Sequence, residues 1–209
     1  MELTPVTLEG EHVRLEPLRL EHADLLARVG TDPSLWTWFT ERLDTPEAMR
    51  AWVEAALALQ RAGTALPFAI VERRTNTVVG STRFGSISPR DRRAEIGWTW
   101  IAAPWQRTAI NTEAKLLMLR YAFKVMGCTR VELKTDRLNE RSRRAILRLG
   151  ATQEGTLRSH MTTAAGRVRD TVYYSILAAE WDRVEKLLVA RLNSYPAPGD
   201  AKRGFRSER

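Results

Sequence analysis

An α/β fold, a mixed central sheet with helices on both faces, is predicted for this chain by three observations. Its apolar periodicity switches repeatedly between two residues and 3.6 residues. The segments so marked follow the order β-α-α-β-β-β-α-β-α-β-β before a last helix, which interleaves strands with helices instead of segregating them. The 209 residues are enough for one sizeable domain and too few to favour two.

Residues 12–18 alternate Val13, Leu15 and Pro17 against polar neighbours and read as an opening strand. Residues 21–29 form a short amphipathic helix. Thr45-Pro46-Glu47 is a helix start, with Thr as N-cap, Pro at the first position and an acid in the first turn. Trp52, Val53, Ala56 and Leu59 then keep helical spacing up to Gly63. Strands follow at 67–73 and 77–88 around a turn at Thr75-Asn76, and a third at 93–101 after Ser88-Pro89-Arg90-Asp91. The longest helix is expected at 112–126, with Ala114, Leu117, Tyr121 and Val125 inward and Glu113, Lys115, Arg120 and Lys124 facing away. A strand at 129–135 buries Val131 and Leu133, and Asn139 caps a helix that Gly150 stops. Strands at 151–162 and 168–177 and a helix at 180–192 complete a domain spanning 1–194. The tail at 195–209 is rich in Pro, Gly and basic residues and is expected to be disordered.

Composition narrows the function classes. The chain is 44% hydrophobic and 28% charged with seven Trp, as a globular domain with a real core requires. No run approaches the ~20 apolar residues that span a bilayer, and residues 1–10 lack a basic-then-apolar signal pattern, so a cytoplasmic protein with no membrane partner is expected. Cys128 stands alone and reads as a packed thiol, while His12, His22 and His160 are scattered, so neither a disulfide framework nor a metal site is expected. A net charge of +8 suits a polyanionic partner, whether nucleic acid, a ribosome or the phosphates of a cofactor. An RNA binder should interleave aromatics with basic residues on an exposed surface, whereas most Trp here fall on faces expected to be buried.

The chemistry concentrates in two blocks. In EIGWTWIAAPWQRTAINTEAK, residues 95–115, a strand ends near Ile101 and a loop with Pro104 and Trp105 follows. Gln106–Asn111 then enters a helix. Such an entry aims unpaired N–H groups outward at the positive end of the helix dipole, where a pyrophosphate fits, and Arg107 and Thr108 add a charge and a hydroxyl. An ordinary loop-to-helix junction would look the same. In TDRLNERSRRAILRLGATQEG, residues 135–155, Asn139 is an N-cap and Ser142 sits on the flank that Asn139 shares, with Ala145 and Ile146 beneath.

Together these blocks resemble the GNAT acyltransferases. Gln106 matches the first position of the family's Q/R-x-x-G-x-G/A segment, while Ala109 stands at its central glycine and Asn111 at its Gly/Ala. AINTEAKLL is similar to the form common in a RimJ/RimL-like branch that acetylates ribosomal-protein N-termini, and the second block resembles the same branch. The resemblance covers roughly residues 9–180. It implies a GNAT fold splayed at the strand 94–101, with acetyl-CoA as acyl donor. Cofactor contacts would come from Trp100, Ile101, Gln106, Arg107, Thr108, Ala109, Ile110, Asn111, Thr112 and Asn139. Arg143 joins them from the series Arg141, Arg143, Arg144 and Arg148 on one short helix.

The implied reaction is direct attack of a primary amine, foremost a protein N-terminal α-amine, through a tetrahedral intermediate. A backbone N–H near Trp100 or Ile101 would meet the oxyanion. Glu95 is the candidate base, sharing a face with Gly97 and Thr99 by alternation, opposite Ile96, Trp98 and Trp100. Ser142 is the candidate acid for the leaving thiolate. An α-amine with pKa near ~8 is already about a tenth neutral at pH 7, so it makes the smaller demand on a base. Trp36, Trp38 and Phe39 are candidates for the acceptor groove, and Arg83 with Arg90, Arg92 and Arg93 could favour acidic acceptors or RNA near a ribosomal target. A homodimer with Trp181 near its contact is a further expectation. Three readings stay open beside this one: a small-molecule amine as acceptor (amino acid, polyamine or antibiotic), a non-catalytic acyl-CoA-binding module for which Ala109 is the hint, and a nucleic-acid or ribosome-binding protein.

Overall fold

Eight strands form a single sheet in the order β1-β2-β3-β4-β5-β6-β8-β7. The computed structural model describes residues 3–195. Its strands are β1 (Leu8–Glu9), β2 (Val13–Pro17), β3 (Leu66–Glu72), β4 (Thr77–Ser88), β5 (Arg93–Ile101), β6 (Arg130–Asp136), β7 (Thr152–Thr162) and β8 (Val168–Leu177). Every neighbouring pair is antiparallel except β5 and β6, whose parallel pairing needs the long crossover that helix α3 (Ala109–Lys124) provides. The other helices are α1 (His22–Gly30), α2 (Pro46–Arg61), α4 (Glu140–Arg148) and α5 (Trp181–Leu192).

Two cores lie on the two faces of the sheet. On one, α3 and α5 cover Phe68, Phe84, Ile96, Leu133 and Tyr174, with Met118 and Leu119 of α3 fully buried against them. On the other, α1, α2 and the segment 33–43 pack Leu26, Trp36, Met49, Trp52 and Val53 against Ala69, Val71 and Trp100. With cover on both sides, β3 is buried at all seven positions, which explains its continuous apolar run. Thr45 caps α2 by accepting from Ala48 N at 3.2 Å, with Pro46 at the first position, as its sequence prescribes. Among the described residues no helix is long and apolar enough to cross a membrane, and no cluster of candidate metal ligands occurs.

Three expectations need correction. Helix α3 begins three residues earlier than its spacing suggested, and Glu113 and Lys115 are buried while Val125, just past its end, is 66% exposed. A single apolar stripe fails as a guide because the first half of α3 is enclosed nearly all round. Polar side chains on its flanks serve buried partners instead of water. The carboxylate of Glu113 accepts from the backbone N–H of Glu11, His12 and Val13, each at 2.7 Å, and so holds the β1–β2 hairpin. Gly10 sits so close that a Cβ there would lie 2.3 Å from this carboxyl carbon. Second, alternation along β5 breaks at Trp98, as described below. Third, Trp181 is not at a surface but in the core, its ring 5.3 Å from that of Phe123. Apart from Tyr195, the tail expected at 195–209 lies outside the described residues.

Removing the Glu113 carboxylate strands up to three main-chain donors, each costing about 1–3 kcal/mol where water does not reach. Glu113→Ala is therefore expected to lower unfolding free energy by about 2–4 kcal/mol in urea titrations. A loss below ~0.5 kcal/mol would mean that the hairpin does not depend on this contact.

Candidate active site

The ladder between β5 and β6 is short. It joins Arg93 to Arg130, Ala94 to Val131 and Glu95 to Glu132, and then β5 runs on to Ile101 and β6 to Asp136 without further pairing. The cause lies in the other neighbours. Strand β6 stays in register with β8 along its whole length, from Arg130–Leu177 to Asp136–Thr171. Strand β5 slips against β4: Ser81 pairs with Trp100 and Arg83 with Gly97, so Thr82 faces both Trp98 and Thr99. Trp98 takes φ +50° at this bulge, an unusual conformation for a bulky residue. A bulge bends and twists its strand, and here it carries β5 away from β6.

The slip also reassigns the faces of β5. Ile96 and Ile101 lie in the α3-side core, and Thr99 joins them there through its hydroxyl contacts, 2.8 Å from Thr82 Oγ1 and 2.5 Å from Lys115 Nζ. Glu95 falls instead on the side of Trp98 and Trp100, so the expected grouping of Glu95 with Thr99 does not hold. Lys115 is fully enclosed, donates to Thr82 Oγ1 at 3.2 Å as well, and meets no carboxylate among the described residues. Burial alone pushes its ammonium down to about 7.

At the open end, Ile101 leads through a 3₁₀ turn (Ala103–Trp105) to the start of α3. Gln106 is anchored at both ends of its amide: Nε2 donates to Ile101 O at 2.7 Å, and Oε1 accepts from Arg141 Nη1 at 2.7 Å. Its side chain thus ties the end of β5 to α4 across the opening. Arg107 has φ +64°, so the left-handed residue of this loop is Arg107, while Ala109 is the first residue of the helix. Thr108 caps α3, accepting from Ile110 N at 3.4 Å and donating to Trp105 O at 2.7 Å. Arg107 and Thr108 are exposed, Asn111 is half-buried, and Ile110 and Thr112 are buried, Thr112 within 3.5 Å of the Tyr195 hydroxyl. Across the gap, Asn139 Oδ1 accepts from Ser142 N at 3.0 Å and caps α4. Arg143 turns inward to Tyr174 OH at 3.3 Å and Arg137 O at 3.4 Å, so Arg141, not Arg143, is the α4 arginine beside the loop.

The opposite face of the gap, on the α1–α2 side, carries the ionisable groups. Glu95 is 3% exposed, 3.0 Å from Lys134 Nζ, and accepts from Ser86 Oγ at 3.2 Å. Lys134 lies near the faces of Trp98 and Tyr173. The ring of Trp98 covers Gly85, where a Cβ would stand 2.4 Å from it, so only glycine permits this approach. Arg83 is 4% exposed, between the rings of Trp98 at 4.4 Å and Trp52 at 4.9 Å. Burial lowers its pKa to about 10, against the pull of Glu41 and Glu95, so it stays charged at neutral pH. Asp136 pairs with Arg167, which lies over Trp38, and Arg169 donates to Thr171 Oγ1 at 3.1 Å and to Trp38 O at 3.3 Å. Phe39 O accepts from Ala164 N at 3.0 Å, docking the 36–39 segment on the β7–β8 turn. Trp36 does not join this surface. It is a core residue set edge-on to Trp100 with ring centroids 5.2 Å apart, its Nε1 donating to Gly30 O at 2.9 Å.

Residues 12–152 match the family model described as Acetyltransferase (GNAT) domain. The chain belongs to this family. It is an acyl-CoA-dependent GNAT acetyltransferase. The N-acetyltransferase p20 of Bacillus licheniformis, itself uncharacterized, is 29% identical over 177 residues, 84% of this chain and 98% of that protein. YdaF of Bacillus subtilis, provisionally named a ribosomal N-acetyltransferase, is 33% identical over 106 residues, 51% of this chain and 57% of its own. The crystal structure of a GCN5-related N-acetyltransferase from Brucella melitensis superposes with a TM-score of 0.83 at 32% identity, covering 90% of this chain and 86% of that one.

Acetyl-CoA is the acyl donor of GNAT enzymes, and the gap suits such a group. Beyond Glu95 the β6-facing edge of β5 has no strand partner, and the first turn of α3 opens beside it with exposed Arg107 and Thr108. The sequence did not single out Lys115, Lys134, Arg169 or Arg141. Lys115 and Lys134 occupy positions that periodicity assigns to water, and only the parallel neighbour of β5 reveals Lys134 beside Glu95.

The enclosed Lys115 gives a stability signature. An unfolded lysine titrates near ~10.4, and the folded one at about 7. Between these values the unfolded chain binds a proton that the folded chain does not, so stability rises with pH across that window. Below pH 7 both forms are protonated and the burial penalty is present in full. Lys115→Met is expected to remove this rise in urea unfolding measured at pH 6, 7.5 and 9. Parallel wild-type and variant profiles would show that the amine does not titrate in this window.

Proposed function

We propose that the chain moves an acetyl group from acetyl-CoA to a primary amine, foremost the α-amine of a protein N-terminus, by direct attack through a tetrahedral intermediate. The observation that carries this reading is Glu95: a buried carboxylate at the foot of the parted strands, on the face that the Trp38–Phe39 segment flanks. The acyl donor supplies an activated thioester. Main-chain N–H groups near Trp100 and Ile101 hold the oxyanion, the α3 entry formed by Gln106, Arg107, Thr108, Ala109, Ile110, Asn111 and Thr112 receives the diphosphate, and Asn139 orders the α4 side.

Glu95 accepts a proton from the incoming ammonium, directly or through one water, while Lys134 at 3.0 Å holds the carboxylate in place. Ser142, whose hydroxyl makes no hydrogen bond within the described chain, passes a proton to the departing sulfur while taking one from solvent water. An α-amine is supported over a lysine side chain by its smaller demand on the base, and a protein acceptor by YdaF's provisional name as a ribosomal N-acetyltransferase. Trp38 and Phe39 shape the acceptor groove in this reading.

Calorimetric titration with acetyl-CoA is expected to saturate for the wild type, Glu95→Gln and Ser142→Ala alike. Steady-state assays on a panel of N-terminal peptides and small amines should then show kcat reduced about 10²–10⁴-fold in Glu95→Gln. The alkaline shift of its remaining pH–rate profile should reflect amines that deprotonate unaided. An unchanged kcat in Glu95→Gln would remove Glu95 from the role of base, and absence of acyl-CoA binding would remove the enzyme reading itself.

A further inference from the structure

The charges on the α1–α2 side of the gap do not balance. Glu95 is matched by Lys134 and Asp136 by Arg167. That leaves Arg83 and Arg169, 4% and 8% exposed, neither within 4.0 Å of a carboxylate among the described residues; Glu41 and Glu95 attract Arg83 only from farther off. Arg169 has hydroxyl and carbonyl partners, Thr171 and Trp38. Arg83 has none: its Nε is buried without a hydrogen bond, and the structure gives its terminal nitrogens no acceptor either. The residue as a whole is nearly enclosed.

A guanidinium in such a place is expensive unless something pairs with it. The indole faces of Trp52 and Trp98 supply part of the compensation and fix the plane of the fork. They leave its hydrogen-bond donors unused. The fork's edge is where a planar anion binds with two parallel hydrogen bonds.

Position identifies the anion's owner. Arg83 pairs with Gly97 and Gly85 with Glu95, so Arg83 and Glu95 share a face of the β4–β5 ladder about two residues, or ~7 Å, apart. Neither glycine fills the space between them: the Trp98 ring lies over Gly85 and the Glu95 carboxylate over Gly97, 2.4 and 2.8 Å from where a Cβ would stand. The α3 entry, where a diphosphate fits, lies on the other side of the sheet. We propose that Arg83 is the anion-recognition residue of the acceptor site, and that the acceptor amine belongs to a molecule bearing a carboxylate. This rests on the N-acetyltransferase reading above. The carboxylate is that of a free amino acid-like amine or of an acidic side chain near a peptide N-terminus.

The test compares kcat/KM of the full chain for two acceptors, β-alanine and the dipeptide Ala-Asp amide, with that for their neutral counterparts, β-alaninamide and Ala-Asn amide. At least one carboxylate acceptor is expected to exceed its neutral counterpart by tenfold or more, with the ratio falling to within twofold of one in Arg83→Gln. Preference for β-alanine places the carboxylate on a small molecule, preference for Ala-Asp amide on a peptide, and either supports the proposal. A wild-type ratio near one for both pairs, or a ratio that survives in Arg83→Gln, overturns it. Arg83→Lys serves if the glutamine variant does not fold by circular dichroism. Its point charge lacks the planar fork, so the ratio should drop at least threefold, and an unchanged ratio overturns the proposal.

Should none of the four acceptors be turned over, the catalytic reading fails for them, and binding decides the inference separately. Trp52 and Trp98 flank the guanidinium and report on it by fluorescence. A saturable change with β-alanine or Ala-Asp amide, absent with the neutral counterparts and in Arg83→Gln, supports the carboxylate site. No response to either carboxylate overturns it.

Discussion

Where β4 and β5 fall out of register, Thr82 stands opposite both Trp98 and Thr99, and the shape of the cleft descends from that one-residue slip. It turns Thr99 toward α3 and lays the Trp98 ring over Gly85 and against Arg83. It also bends β5 out of pairing with β6 after Glu95. A bulky residue at φ +50° costs of order 1–3 kcal/mol, so the bulge persists only if its surroundings over-determine it. On one face they do so through the Lys115–Thr82–Thr99 hydrogen bonds, and on the other through the aromatic contacts of Trp98. Lys115 is thereby explained without any role in chemistry. An amine that burial leaves half neutral near pH 7 can satisfy two hydroxyls without a counter-ion.

The same slip sorts the ionisable groups. Had simple alternation held, Glu95 and Thr99 would share a side and the carboxylate would stand with the bulge hydroxyls. Instead Glu95 meets Lys134, and the sheet separates a polar acceptor side from the α3 entry on the other. A buried ion pair such as Glu95–Lys134 adds little net stability, because desolvation offsets its attraction. Its effect is to fix where the carboxylate points, which is what a proton acceptor at the foot of a cleft requires.

Much of this was legible in the amino-acid sequence, and the failures share a physical cause. Strands β4, β5 and β8 fall where the sequence pattern puts them, because turn signals bound each apolar run even where, as in β5, the alternation inside it breaks. The α3 entry was legible because caps and helix starts are local. The bulge was not, since nothing within residues 95–101 states that Thr82 must oppose two residues. Glu113 and Lys115 were misplaced because a stripe analysis treats a charged side chain as a solvent marker. Here the carboxylate ends in a hairpin's N–H groups, about a hundred residues away in the chain. Trp36 and Trp38 show how adjacent aromatics diverge: one packs on Trp100 in the core, and the other takes the Arg167 guanidinium on its face.

The unpaired guanidiniums bear on how binding and rate divide in the proposed reaction. A carboxylate held by Arg83 is equally charged before, during and after acyl transfer, so its contact stabilises ground and transition states alike and acts through KM. Glu95 meets a proton that moves, and its contribution belongs to kcat. The +8 charge of the chain adds a longer-range effect of the same sign, drawing anionic partners toward the surface before any contact forms. That field cannot choose among anions, because salt screens it within about 10 Å. Selection falls to a cation that is desolvated, held between two indoles and short of hydrogen-bond acceptors. Among the described buried basic groups of the acceptor face, Arg83 alone meets all three conditions.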